Sequence, residues 1–155
     1  MNIPINTAIA IQNDIFILTL DDYPPHGILG GMSTDENLQL WQYSVDVIHR
    51  CLVSGLWRIL NKEWMNHHKV KDYDFFCKKL SDLDPFNLSD EGEIFWLEPL
   101  LSHTDLSLRL IKKYGISSTS KDLCIPFAYE IEDIFSAKGV SWKSGSIYSI
   151  TANRV

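Results

Sequence analysis

The residues of this chain that could carry chemistry are its five histidines, its three cysteines and two tight carboxylate clusters. Zinc needs His or Cys ligands brought onto one face at short spacing, and His26, His49, His67, His68 and His103 contain no such pair; HExxH and CxxC are absent. His67 and His68 are neighbours that project from different helix faces. Gly30-Gly31 is not followed by Lys-Ser/Thr, and no GxGxxG opens a helix after a strand, so no phosphate cradle is predicted. Lys143-Ser144-Gly145-Ser146 lacks the flanks of a nucleophile elbow. Asp82-x-Asp84 and Asp90-Glu91-x-Glu93 could in principle pair a raised-pKa acid with an ionised one for hydrolysis. The same clusters serve equally as helix caps and solvated faces, or as a surface that meets a partner.

Charge order favours a surface role over catalysis. The 155 residues hold 20 Asp and Glu against 14 Lys and Arg, a formal net charge of −6. Residues 1–49 contain six acidic residues and no Lys or Arg, residues 50–79 seven basic and three acidic, residues 80–108 seven acidic and no basic, and residues 109–155 seven basic and four acidic. Such blocks either neutralise one another across the fold or leave a surface field of one sign that steers a basic partner. The acidic balance argues against direct nucleic-acid binding and against a polybasic membrane surface, which need clustered cations. No run approaches the roughly 18 to 20 apolar residues of a membrane span. The N-terminus, Met1 to Asn6, lacks the cationic start of a secretory signal. Cys51, Cys77 and Cys124, odd in number and widely spaced, fit reduced, buried thiols. A cytoplasmic protein without metal or cofactor is the expectation.

The elements that must position these groups read as helices. Apolar residues crowd Thr7 to Leu20, which suits a mostly buried helix capped by Asn6 or Thr7, with a strand over Asp14 to Leu20 as the competing reading. Pro24-Pro25, Gly27 and Gly30-Gly31 make 21–32 a loop. Ser33-Thr34-Asp35-Glu36 reads as a capping box for a helix over about 34–54, with Leu38, Trp41, Val45, Ile48 and Leu52 forming its apolar seam and Gly55 stopping it. Residues 56–60 stay open between an extended piece and a helical turn. Further helices are predicted over Asp72 to Leu83, after Ser89-Asp90-Glu91 with Pro99 ending or kinking the segment, from Thr104-Asp105 to Gly115, and from Pro126 to Gly139. The tail from Trp142 to Val155 could be strand, short helix or frayed chain. This is an all-α, single-domain bundle of five or six amphipathic helices spanning 1–155, with room for a short strand or extended tail.

Five tryptophans, Trp41, Trp57, Trp64, Trp96 and Trp142, read more readily as core than as interface, yet five in 155 residues are generous and any left exposed makes a good binding anchor. Trp64, among Lys62, Glu63, Asn66 and His67, is the candidate for exposure. The carboxylates chosen as a contact surface are Asp82, Asp84, Asp90, Glu91 and Glu93, with Asp21 and Asp22 as a second patch.

An N-terminal helix, a Pro/Gly loop, and Leu40-Trp41-Gln42-Tyr43 running through Ile48 and Leu52 to Gly55-Leu56-Trp57-Arg58-Ile59 make a recognisable layout. Together with Ile94-Phe95-Trp96-Leu97 and the closing helix from Pro126-Phe127 to Phe135, it resembles bacterial immunity proteins of the contact-dependent growth inhibition type. The resemblance implies a non-enzymatic antitoxin that binds the C-terminal toxin domain of a large secreted effector and occludes its active site, as a monomer or a 1:1 heterocomplex. It carries over no catalytic residue. A toxin of the nuclease kind, with a basic cleft, is the partner an acidic plug would complement. An acidic adaptor or regulatory subunit for another basic protein is the alternative, and it would show the same surface.

Overall fold

The computed structural model describes residues 1–32 and 34–150, and seven α-helices and one two-stranded ribbon build the fold. Helix α1 (Ile5–Leu18) is apolar on nearly every side, with Ala8, Ala10, Ile11, Ile15, Phe16 and Leu18 all buried, as expected of a helix enclosed by others. It starts earlier than the predicted Asn6 or Thr7 cap because Pro4, whose carbonyl accepts from the Ala8 amide at 2.8 Å, already has the dihedrals that lead into a first turn. It stops two residues short of Leu20, where the Thr19 hydroxyl turns back to the Phe16 carbonyl at 2.6 Å. The strand reading of 14–20 is not adopted. The Pro/Gly loop then makes one short 3-10 turn, Pro25–Ile28.

Helix α2 (Asn37–Ser54) is the centre of the molecule. Its seam residues Trp41, Val45, Ile48 and Leu52 are buried, whereas Leu38, at 37% exposure, lies outside the core. Burial extends around the helix to Tyr43, His49, Arg50 and Cys51. Ser33 of the expected capping box lies outside the described residues. Glu36 occupies the cap position without a side-chain bond to the helix, and Thr34 instead accepts from the Glu36 amide at 3.2 Å. At the far end Gly55, with φ +82°, makes the left-handed stop that its position predicted.

The open segment becomes strand β1 (Trp57–Ile59), paired antiparallel with β2 (Leu101–His103) in the register Trp57 to His103, Arg58 to Ser102 and Ile59 to Leu101. Tyr23 adds a bridge on the other edge of Leu101. So short a ribbon holds only because it packs on helices: Trp57, Ile59 and Leu101 are all buried. The short helix α3 (Lys62–His67) follows β1. Helix α4 (Tyr73–Asp82) begins at Asp72, whose carboxylate accepts from the Phe75 amide at 2.7 Å; α5 (Asp90–Leu97) begins at Ser89, which accepts from the Gly92 amide at 3.0 Å. Helix α6 (Asp105–Lys113) has a reciprocal capping box between Thr104 and Ser107, and α7 (Ile125–Ala137) carries Pro126 in its first turn and ends before Gly139 at φ +72°. A 3-10 turn at Trp142–Ser144 begins the tail, and residues 151–155, included in the open tail expectation, lie outside the described residues.

Two indoles lock helices together by hydrogen bonds as well as area: Trp41 donates to the Leu80 carbonyl at 2.9 Å and Trp96 to the Leu83 carbonyl at 2.7 Å. Among the described residues no helix is long and apolar enough to cross a membrane.

Candidate functional site

The acidic segment folds into the end of α4, the α4–α5 loop and α5, and the structure sorts its carboxylates by what already holds them. Asp82 is exposed and meets Lys78 one turn earlier at 3.0 Å. Asp84 is half-buried and accepts from the Phe86 amide at 2.8 Å, closing a local turn. Glu91 is exposed and bridges back to Lys79 of α4 at 3.0 Å. Cations of the 50–79 block therefore neutralise part of the acidic block, one of the two outcomes open to the charge pattern. Asp90 and Glu93 are exposed and enter no ion pair among the described residues.

Asp90, Glu93 and Leu97 recur at intervals of three and four, so they line one face of α5. Leu97 is 42% exposed, and the preceding loop presents Phe86 at 40%. The face thus combines carboxylates that enter no ion pair among the described residues with the exposed Leu97 on one helix. Lys79, lying 5.7 and 5.8 Å from the Phe75 and Phe95 ring centroids, holds the α4 side of this surface in place.

The second predicted patch is tied to the first by a side-chain bond from His26 and to β2 by backbone. Asp21 is exposed and accepts from the Asp22 amide at 2.8 Å, while Asp22 is half-buried. Immediately after them, Tyr23 exchanges hydrogen bonds with Leu101 at 3.1 and 2.8 Å, and His26 Nε2 reaches the Pro85 carbonyl at 3.1 Å. Segments some 60 to 80 residues apart are thereby tied together, which spacing along the chain does not reveal.

Trp64 is a correction. The indole is 9% exposed, donates to Glu98 Oε1 at 3.2 Å and stands edge-on to Phe76 and Phe95 at 5.9 and 5.5 Å. Its polar sequence neighbours misled, because α3 turns this one side chain inward against α4 and α5 while Lys62, Glu63, Asn66 and His67 stay exposed. It is part of the floor beneath the acidic face, not an anchor on it.

The structure also assembles polar groups of α2 that lie beside its apolar seam. His49 is buried, its Nε2 2.8 Å from Asp74 Oδ1, and the Tyr148 hydroxyl donates to the same oxygen at 2.7 Å. These bonds, that of Tyr148 foremost, hold the Asp74 carboxyl below its ordinary range. Arg50, almost wholly enclosed, donates to the carbonyls of Val140, Ser141 and Gly145 at 2.8, 3.1 and 2.7 Å and lies 4.6 Å from the Trp142 ring. Gln42 and Asp46 complete the set by bonding Tyr148, Ile150 and Ser146. Among the described residues no Ser, Thr or Cys is hydrogen-bonded to this His–Asp pair, and the constellation clasps the tail to α2. Only a glimpse was legible: Asp46 and Arg50 at i and i+4, with no signal for the tail some 90 to 100 residues away.

A second enclosed pair, Asp14 and Tyr43, is likewise structural. Burial pushes the Asp14 carboxyl up to about 7 and raises the Tyr43 hydroxyl well above its usual value. Cys51 and Cys77 are buried and their thiols are pushed up by desolvation; Cys124 is half-buried. Among the described residues no three His, Cys, Asp or Glu side chains converge as metal ligands. No family model, curated protein or solved structure matches this chain.

Proposed function

We propose that this chain is an immunity protein that binds a cognate toxin domain, a nuclease with a basic cleft, and blocks it by occlusion without chemistry of its own. The reading rests on the resemblance of the sequence, and the observation that supports it best is the α5 face: Asp90 and Glu93 exposed and without an ion pair among the described residues, Leu97 exposed on the same face and Phe86 exposed in the loop before it, in a segment without any Lys or Arg. Carboxylates of this kind accelerate encounter with a cationic cleft, and the apolar side chains supply the short-range contact that slows release. Helix α5 is suited to insertion because Trp96, Phe95 and the Lys79–Glu91 bridge hold it against α4, so little conformational freedom is lost on binding.

Co-expression with the open reading frame immediately upstream tests the proposal. The expected result is a 1:1 complex and rescue of host growth, with the double reversal Asp90→Lys, Glu93→Lys slowing association at low salt by about tenfold or more. An upstream product that is harmless on its own and forms no complex overturns the immunity reading and leaves a basic partner to be sought for an acidic adaptor.

A further inference from the structure

Where β1, β2 and α6 meet, a cleft of about 420 Å³ is lined by Arg58, His103, Thr104 and Asp105, all polar and none in the α5 face. Arg58 spends its Nε hydrogen on the His103 carbonyl at 3.3 Å, which orients the guanidinium and leaves both terminal nitrogens without a protein partner among the described residues. His103 Nδ1 lies 3.0 Å from the Leu18 carbonyl. A carbonyl only accepts, so Nδ1 carries the proton and Nε2 is the ring nitrogen left for a ligand. Thr104 is fully engaged: its hydroxyl donates to the Gly55 carbonyl at 2.6 Å and accepts from the Ser107 amide. It therefore works as a wall, and it fixes the start of α6, whose dipole end faces the same region. Asp105, exposed at the first position of α6, adds a carboxylate to the lining.

We infer that this cleft binds phosphate in a form that still carries a P–OH, a free phosphate or a phosphomonoester. Arg58 takes two non-bridging oxygens with its paired terminal N–H groups, and the imidazolium form of His103 donates to a third through Nε2. Asp105 accepts the hydrogen of the P–OH. The carboxylate that would repel a bare oxyanion thus becomes the discriminating group. Sulfate and phosphodiesters have no hydrogen to offer at neutral pH and leave Asp105 facing a negative oxygen. A nucleic-acid backbone is rejected on the same ground.

Titrations of the full chain at about pH 5.5, where a phosphomonoester is mostly the monoanion that keeps its P–OH, followed by the Arg58 Nε, His103 ring and Thr104 to Leu106 amide resonances at constant ionic strength, test this with four probes. Inorganic phosphate and phenyl phosphate should give saturable shifts, and sulfate and a dinucleoside phosphodiester should bind at least about tenfold more weakly. Arg58→Gln, an exposed position whose fold is checked by Tm, should abolish binding of all four. Asp105→Asn should erase the preference by tightening sulfate. The inference is overturned by an absence of shifts with phosphate up to about 50 mM, by sulfate binding as well as phosphate to the native chain, by unchanged titrations in Arg58→Gln, or by shifts that Mg2+ or Zn2+ alone produces. None of these readouts involves the toxin or the α5 face.

Discussion

The hydroxyl of Tyr43 donates to the carboxyl of Asp14 at 2.5 Å, joining α1 to α2 at a site where both side chains are buried. Burial outweighs the hydrogen bond, and the carboxyl titrates near 7 instead of near the usual 3.8. A folded-state pKa raised above the unfolded one means that the native state holds this proton more tightly. The stability it contributes is complete below about pH 4, declines as the unfolded carboxyl ionises, and is lost once pH rises through about 7. Asp14→Asn keeps the acceptor for Tyr43 and removes the titration. Its Tm relative to the native chain should rise between pH 5 and pH 8, and parallel Tm curves for the two proteins would refute the assignment.

Gly31 closes over the same pair. A Cβ there would sit 2.5 Å from one Asp14 carboxylate oxygen and 3.0 Å from the Tyr43 ring, both enclosed by core. Gly31→Ala should therefore destabilise by about 1–3 kcal/mol, read from the urea midpoint, whereas Gly30→Ala, with open space around it, should change little.

Arg50→Met should release the tail. It removes the donor to three tail carbonyls and to that of Asp46, and leaves the Asp46 carboxylate, half-buried beside it, without its cation. A loss of about 1.5–3 kcal/mol is expected, on the scale of a charge-assisted bond, with amide exchange accelerating over 140–150 before it does elsewhere. Tyr148→Phe, which loses only the bond to Asp74, should cost about 1 kcal/mol and loosen the same segment.

Trp64→Ala separates stability from recognition. Because the indole is packed against Phe76 and Phe95, its removal should cost about 3–5 kcal/mol in chemical denaturation. Measured at a temperature where the variant stays folded, its association rate with a cationic partner should match that of the native chain. A slowed association would return Trp64 to the contact surface.

Local signals in the sequence were reliable where local forces decide. Thr104, Ser89 and Asp72 cap helices because each offers an oxygen to an amide three residues on, and Gly55 and Gly139 stop them by accepting positive φ. The competing strand reading of 14–20 arose because most of α1 is covered, and a segment so enclosed is apolar in either conformation. Strand β2 went unseen: Leu101 to His103 is three residues long and is extended only because β1 and Tyr23 pair with it. The carboxylate surface was half legible, since its residues are contiguous, but their pairing was not.

By itself the sequence determined what depends on near neighbours: an all-α framework, the caps of α4, α5 and α6, the glycine stops and an acidic stretch free of cations. Tertiary structure alone decided which of those charges and rings face solvent. Lys78 and Lys79 remove Asp82 and Glu91 from the unpaired set, Phe76 and Phe95 draw Trp64 inward, and Arg50 gathers a tail whose sequence specifies no regular element. The reason is physical: burial and ion pairing depend on which distant segment arrives at each side chain, and capping and periodicity do not.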